Sequence, residues 1–157
     1  MNCVPWIAAP MFLQSIASAC TCLAPSVEDA LSKADFVVVG TVKNVTVLAG
    51  RRPIDSPVVV SIDVTKSFKE QKNGSIVLHT TTSKRGCSGY AFAVTRTYLI
   101  YVRYSSTRSW LSNLLAPAIF EKITEDRVAN TSACWGTREF GQSSETQELQ
   151  LIEKLLR

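Results

Sequence analysis

A single histidine, His79, is all the imidazole this chain has, and it stands within an expected β-strand. A resident zinc site needs several nitrogen, sulfur or carboxylate ligands brought together. With one histidine and no compact carboxylate cluster, a packed or surface role is expected for His79, and no intrinsic metal or cofactor. Serine, histidine and aspartate all occur, but no nucleophile-elbow motif frames them, so no enzyme is expected. Runs of basic residues are missing too. The formal net charge is +4, yet Arg51-Arg52 and Lys84-Arg85 are the only adjacent basic pairs. Such pairs suit solvated loop ends better than a nucleic-acid or polyanion surface. Beyond residue 19 no apolar run approaches the roughly 20 residues of a membrane span. Internal repeats and low-complexity linkers are likewise absent.

What the chain does have begins at its N-terminus. Residues 1–19 carry no charged side chain, and an apolar body from Val4 to Ile16, interrupted by Pro5 and Pro10, ends in Ala17-Ser18-Ala19. This predicts a secretory signal peptide removed after Ala19. The alternative is a poorly ordered strand or helix. Cleavage there would make Cys20 the first residue of a secreted or periplasmic chain. Lipidation of Cys20 would instead anchor the chain and block its amine, but Ala17 is a poor fit to the large aliphatic residue usual three places before a lipidated cysteine.

Residues 20–157 then suffice for one domain with a real core. Cys3 leaves with the signal, and Cys20, Cys22, Cys87 and Cys134 remain. An even set in an exported chain implies two disulfides. A Cys20 to Cys22 bridge would close a strained, tiny loop. Both other pairings clamp the N-terminus onto distant parts of the chain.

Along residues 20–157, Ser26 reads as the N-cap of a short helix with Glu28 and Asp29 in its first turn, ending by Asp35. Phe36 to Val47 is a β-branched run, bent or bulged at Gly40. Pro53 and Pro57 bound a loop, and Val58 to Phe68 reads as a second strand. The Asn73-Gly74 turn signal before Ile76 to Thr82 predicts a hairpin between strands two and three. Thr97 to Tyr104 supplies a fourth strand, and Ile119 to Val128 a fifth of ambiguous pattern. Trp110 to Pro117 reads as an apolar insertion between strands, either a mobile loop or core cover, and in an adaptor it would be the surface that engages a partner. Ser143 to Arg157 places Leu149, Ile152, Leu155 and Leu156 at helical spacing, a core-packing stripe on an amphipathic helix. Five strands with a short N-terminal and a C-terminal helix predict a mainly β fold, a small closed barrel of oligomer-binding type. Asn44-Val45-Thr46, Asn73-Gly74-Ser75 and Asn130-Thr131-Ser132 are glycosylation sequons, a pattern common by chance and meaningful only where the machinery exists.

Several segments taken in order carry a resemblance. Cys20-Thr21-Cys22-Leu23-Ala24-Pro25, the run Ala30 to Gly40, Ser67-Phe68-Lys69, Cys87-Ser88-Gly89-Tyr90, Tyr98-Leu99-Ile100-Tyr101 and Cys134 together resemble the N-terminal domain of the tissue inhibitors of metalloproteinases. The resemblance implies a netrin-like module with Cys20 paired to Cys87 and Cys22 to Cys134. Family members usually carry a further cysteine where Ser32 stands, and its partner near the domain's end is also missing here. The cysteine-rich C-terminal domain of the animal inhibitors is lacking, and Ser88 is inserted into the Cys-Gly-Tyr pattern.

The activity implied is inhibition of zinc metalloproteinases. A catalytic zinc has three protein ligands and a water in its open position. The α-amino and carbonyl groups of Cys20 would displace that water, Thr21 would enter the specificity pocket, and Cys22, Leu23, Ala24 and Pro25 would lie along the cleft. Arg85, Gly86, Cys87 and Ser88 would flank it. The partners expected are zinc metalloproteinases, met by a monomer. The alternative is a secreted or lipid-anchored netrin-like adaptor without protease inhibition. There Thr21 is merely a small residue between two bridged ones, and Pro25 sets the helix entry.

Overall fold

A computed structural model describes residues 23, 25–49, 56–70, 72–82, 89–106, 127–141 and 145–157. Its elements begin with α1 (Val27–Lys33) and continue through β1 (Phe36–Val47), β2 (Pro57–Lys69), β3 (Gly74–Thr81), β4 (Thr97–Ser106) and β5 (Arg127–Asn130). A 3₁₀ turn (Ala133–Trp135), β6 (Arg138–Glu139) and α2 (Glu145–Leu155) follow. Among the described residues the fold is mainly β with two helices. No helix among the described residues is long and apolar enough to cross a membrane.

Helix α1 forms where expected. The Ser26 hydroxyl accepts from the Asp29 amide at 3.1 Å, and Glu28 and Asp29 sit at the positive end of the helix dipole. Its other end is held by the Lys69 ammonium, which donates to the carbonyls of Leu31 and Ala34.

Strand pairings run β1–β2, β2–β3, β3–β5, β5–β4 and β4–β1, so five strands form a ring in which each has two neighbours. All pairings are antiparallel except β3–β5, which meet in parallel at His79↔Asn130. Strand β1 pairs with β4 from Phe36↔Val102 to Thr41↔Thr97 and with β2 along nearly its whole length. Phe36, Val38 and Val42 point into the ring with Val58, Val60, Ile62, Leu78, Tyr98, Ile100 and Val102. Val37 and Val39 point the other way, against Leu99, Tyr101 and the helix residues Ala30, Leu31 and Ile152. A strand buried on both faces reads as an unbroken apolar run, and this is why Phe36 to Val39 shows no alternation.

The bend expected at Gly40 is present as a register shift between Val39 and Gly40. A Cβ added there would lie 2.5 Å from Ile62 Cγ2 and 2.8 Å from the Asp63 carbonyl oxygen. Only glycine lets β2 cross so near.

Several sequence expectations are adjusted. Strand β2 opens on Pro57, a position where the missing N–H is tolerated, and its carbonyl accepts from Leu48 N at 2.8 Å. The β2–β3 hairpin forms, with Glu70 and Gly74 taking positive φ of 56° and 77° around the turn. The fifth strand is Arg127–Asn130. It was expected over 119–128, of which 119–126 lies outside the described residues, as does the 110–117 insertion. Its end at a buried asparagine gives no apolar signal. Strand β6 was not expected, since Arg138 and Glu139 have little β propensity; pairing with Tyr98 and Leu99 creates it. In α2, Ile152 is buried and Leu149 half-buried, but Leu155 and Leu156 are each 41 % exposed. The buried face turns instead through Glu148, so those two leucines line a shallow groove with Leu31 and Ser32.

The crowding at Gly40 predicts that Gly40→Ala lowers unfolding stability by about 1–3 kcal/mol, the usual cost of overpacking a filled site. Urea titration checks this; an unchanged midpoint would show that β1 and β2 part without cost.

Candidate functional site

Of the residues singled out from sequence, Cys20, Thr21, Cys22, Ala24, Arg85, Gly86, Cys87 and Ser88 lie outside the described residues. Leu23, Pro25 and Cys134 are described, together with the segments that leave the others. Leu23 is 93 % exposed and Pro25 half-buried, immediately ahead of the Ser26 cap. Cys134 sits half-buried in the 3₁₀ turn, its amide donating to the Ser132 hydroxyl at 3.2 Å.

Three separate stretches of chain meet here. Gly89 follows the Arg85 to Ser88 segment, and its carbonyl accepts from Ala133 N at 3.3 Å, directly beside Cys134. Tyr90 N donates to Thr80 Oγ1 at 2.9 Å. A Cβ on Gly89 would lie 2.3 Å from the Thr81 carbonyl oxygen, so the backbone there lies flush against the end of β3. On the other side of Cys134, Gly136 takes a left-handed φ of 94°, and a Cβ built on it would be 3.5 Å from Ala30 Cβ in α1. The helix that follows the Cys20 to Pro25 segment and the irregular Gly89-Tyr90 segment that follows Arg85 to Ser88 therefore both lie against the turn carrying Cys134.

A buried polar network underlies this junction. Thr80 Oγ1 donates to the Thr131 carbonyl at 3.1 Å, linking β3 to the chain beyond β5. Thr131 Oγ1 donates to the Tyr101 carbonyl at 2.8 Å and lies 2.6 Å from Thr137 Oγ1, which accepts from Tyr101 N at 3.1 Å. The Tyr101 hydroxyl donates to Glu148 Oε1 at 2.8 Å, and Glu148, only 7 % exposed, is also ion-paired to Arg138. The chain of bonds runs from the site, through the sheet, to α2. Trp135 packs beside it with the Arg103 guanidinium over its ring at 4.5 Å.

None of these residues was expected from sequence to join a buried polar network. Thr80, Thr131 and Thr137 look like ordinary strand and turn threonines, and Glu148 like a solvated helix residue. The one available signal is Glu148 at position i−4 from Ile152, on the apolar stripe.

Among the described residues, no three His, Cys, Asp or Glu side chains come together to hold a metal ion. His79 is buried in β3 and paired in register with Asn130.

Burial pushes the Tyr101 phenol up to about 12 from 10.0, with Arg138 pulling in the opposite direction. A raised phenol pKa means the neutral form is favoured in the fold. Stability is thus fully present below pH 10, where the unfolded phenol begins to ionise, and falls as pH rises toward 12. Tyr101→Phe should flatten the loss of stability in that window, checked by urea midpoints at successive pH values. Equal slopes in both proteins would remove Tyr101 from the account. Gly89→Ala should lower stability by about 1–3 kcal/mol, since the Thr81 backbone must move aside, and thermal denaturation checks it.

No protein-family model matches this chain, and no curated protein matches it.

Proposed function

We propose that this chain is an exported inhibitor of zinc metalloproteinases, acting through the free α-amino and carbonyl groups of Cys20. The observation that carries the reading is the meeting of three stretches: the helix following Cys20 to Pro25, the Gly89-Tyr90 segment following Cys87, and the turn holding Cys134. Pairing Cys20 to Cys87 and Cys22 to Cys134 would tie together segments whose described continuations each touch the 133–136 turn. The five-strand ring, with its one parallel contact between β3 and β5, supports an oligomer-binding-type barrel of the netrin-like kind. At the site of the missing family cysteine, Ser32 lines a groove with Leu155 and Leu156, and the two helices pack nearby through Ala30, Leu31 and Ile152.

The mechanism follows from these parts. Two bridges hold the first residue of the processed chain, so its amine and carbonyl oxygen face a metal without the ordering entropy that a free peptide loses. Both atoms bind the target's zinc in a five-membered chelate and displace the water that hydrolysis needs. Thr21 fills the primary specificity pocket, and its size and hydroxyl select among proteases. Leu23, held clear of the fold, lies along the cleft with Cys22, Ala24 and Pro25, flanked by Arg85, Gly86, Cys87 and Ser88.

Oxidised protein beginning at Cys20 should inhibit members of a metalloproteinase panel, and the same protein with one added N-terminal alanine should lose at least about a hundredfold in affinity, roughly 2.7 kcal/mol. Equal inhibition by both would move the binding site away from the amine. Failure of the authentic form across the panel would favour a netrin-like adaptor. Only the neutral amine coordinates, so inhibition should strengthen as pH rises toward the α-amino range of about 7.7–8.0 and level off above it, read from inhibition constants at successive pH values. A flat profile would argue against chelation.

A further inference from the structure

The two helices cover the outer face of the sheet over Val37, Val39, Leu99 and Tyr101. Farther along, the outer face of β1, β2 and β3 has no helix over it among the described residues. In β2 the inward residues are Val58, Val60 and Ile62, so Val59, Ser61 and Asp63 point outward. Their β3 partners are His79, Val77 and Ser75, and their β1 partners Thr46, Asn44 and Thr41. On this face Val77 is 52 % exposed, whereas His79 is buried.

Two of the three sequons open onto this face. Asn44 and Thr46 stand on exposed, outward positions of β1, and Asn44 Nδ2 donates to Thr46 Oγ1 at 3.2 Å. Asn73 is exposed at the hairpin end of β3, and Ser75 follows it on the outer face. The third differs. Asn130 is 1 % exposed, lies in register between His79 and Arg103, and donates to the Val128 carbonyl at 3.4 Å. An oligosaccharide there would have to enter the core, and a chain carrying one could not close the β3–β5–β4 seam.

We infer that Asn44 and Asn73 are acceptors for N-linked oligosaccharide, that Asn130 is not, and that the two sugars lie over the outer face of β1–β2–β3 around Val77. The donor is a lipid-linked oligosaccharide pyrophosphate. The sugar C1–O bond to pyrophosphate breaks, a C1–Nδ2 bond forms, one amide proton is lost, and the lipid pyrophosphate leaves. The +2 hydroxyl completes the acceptor, and in β1 the two-residue strand periodicity sets Thr46 beside Asn44. Covered in this way, Val77 and the polar strand positions around it are withdrawn from contact with other proteins. The proposal rests on the export part of the reading above.

The full chain is secreted from a eukaryotic cell once with its own N-terminus and once behind a foreign leader, then deglycosylated enzymatically in heavy-oxygen water and mapped by mass. Heavy aspartate is expected at positions 44 and 73 with unaltered asparagine at 130, and Asn44→Gln and Asn73→Gln should each remove one glycan's mass. Thr46→Val and Ser75→Ala should do the same with the asparagines kept. Unaltered asparagine at 44 or 73, or heavy aspartate at 130, overturns the proposal. The expected pattern obtained only behind the foreign leader upholds it and sinks the export reading instead.

Discussion

The structure depends on β1 being satisfied on four sides at once. Its two edges pair with β2 and β4, and its two faces bury Phe36 and Val38 inside the ring and Val37 and Val39 beneath the helices. A straight strand could not keep both partners, because the ring demands a change of direction. Gly40 provides it by letting Ile62 and the Asp63 carbonyl come closer than any side chain permits. Past that point β1 leaves β4, and its outer face emerges at Asn44.

Where the strand ladder is thinnest, hydroxyl groups take over. Strands β3 and β5 share one parallel register pair, far less than β1 and β2 share. The threonine network crosses that seam and continues through Tyr101 to Glu148 and Arg138. Buried hydroxyls with partners at every step specify one arrangement, whereas a partly paired set would be costly. The same bonds anchor the turn of Cys134, so the seam of the sheet and the candidate site are held by one set of groups.

Legibility in the sequence followed the physics of each element. Ser26, the apolar run from Phe36, the hairpin at Asn73-Gly74 and the strand from Thr97 were readable because capping, branching and turn chemistry act locally. The short strands were not. Strand β6 is two charged residues recruited by the β4 edge, and β5 ends in a buried asparagine, so neither carries an apolar period. Leu155 and Leu156 sit on the expected stripe yet remain exposed, since the helix buries Glu148 against Tyr101 instead. For the candidate site, Cys134 stands out in the sequence as a cysteine, but the threonines and glycines packed around it carry signals only in three dimensions.

The pairing of Phe36 with Val102 sets how this chain can reach its native state. The β1–β2 and β2–β3 hairpins join segments close in sequence and need little loop closure, whereas β4 must find β1 across the intervening strands. The entropy of closing so long a loop is spent before any of its contacts form. Ring closure is therefore the late event expected in folding, and until it occurs the inner faces of three apolar strands stand open to solvent.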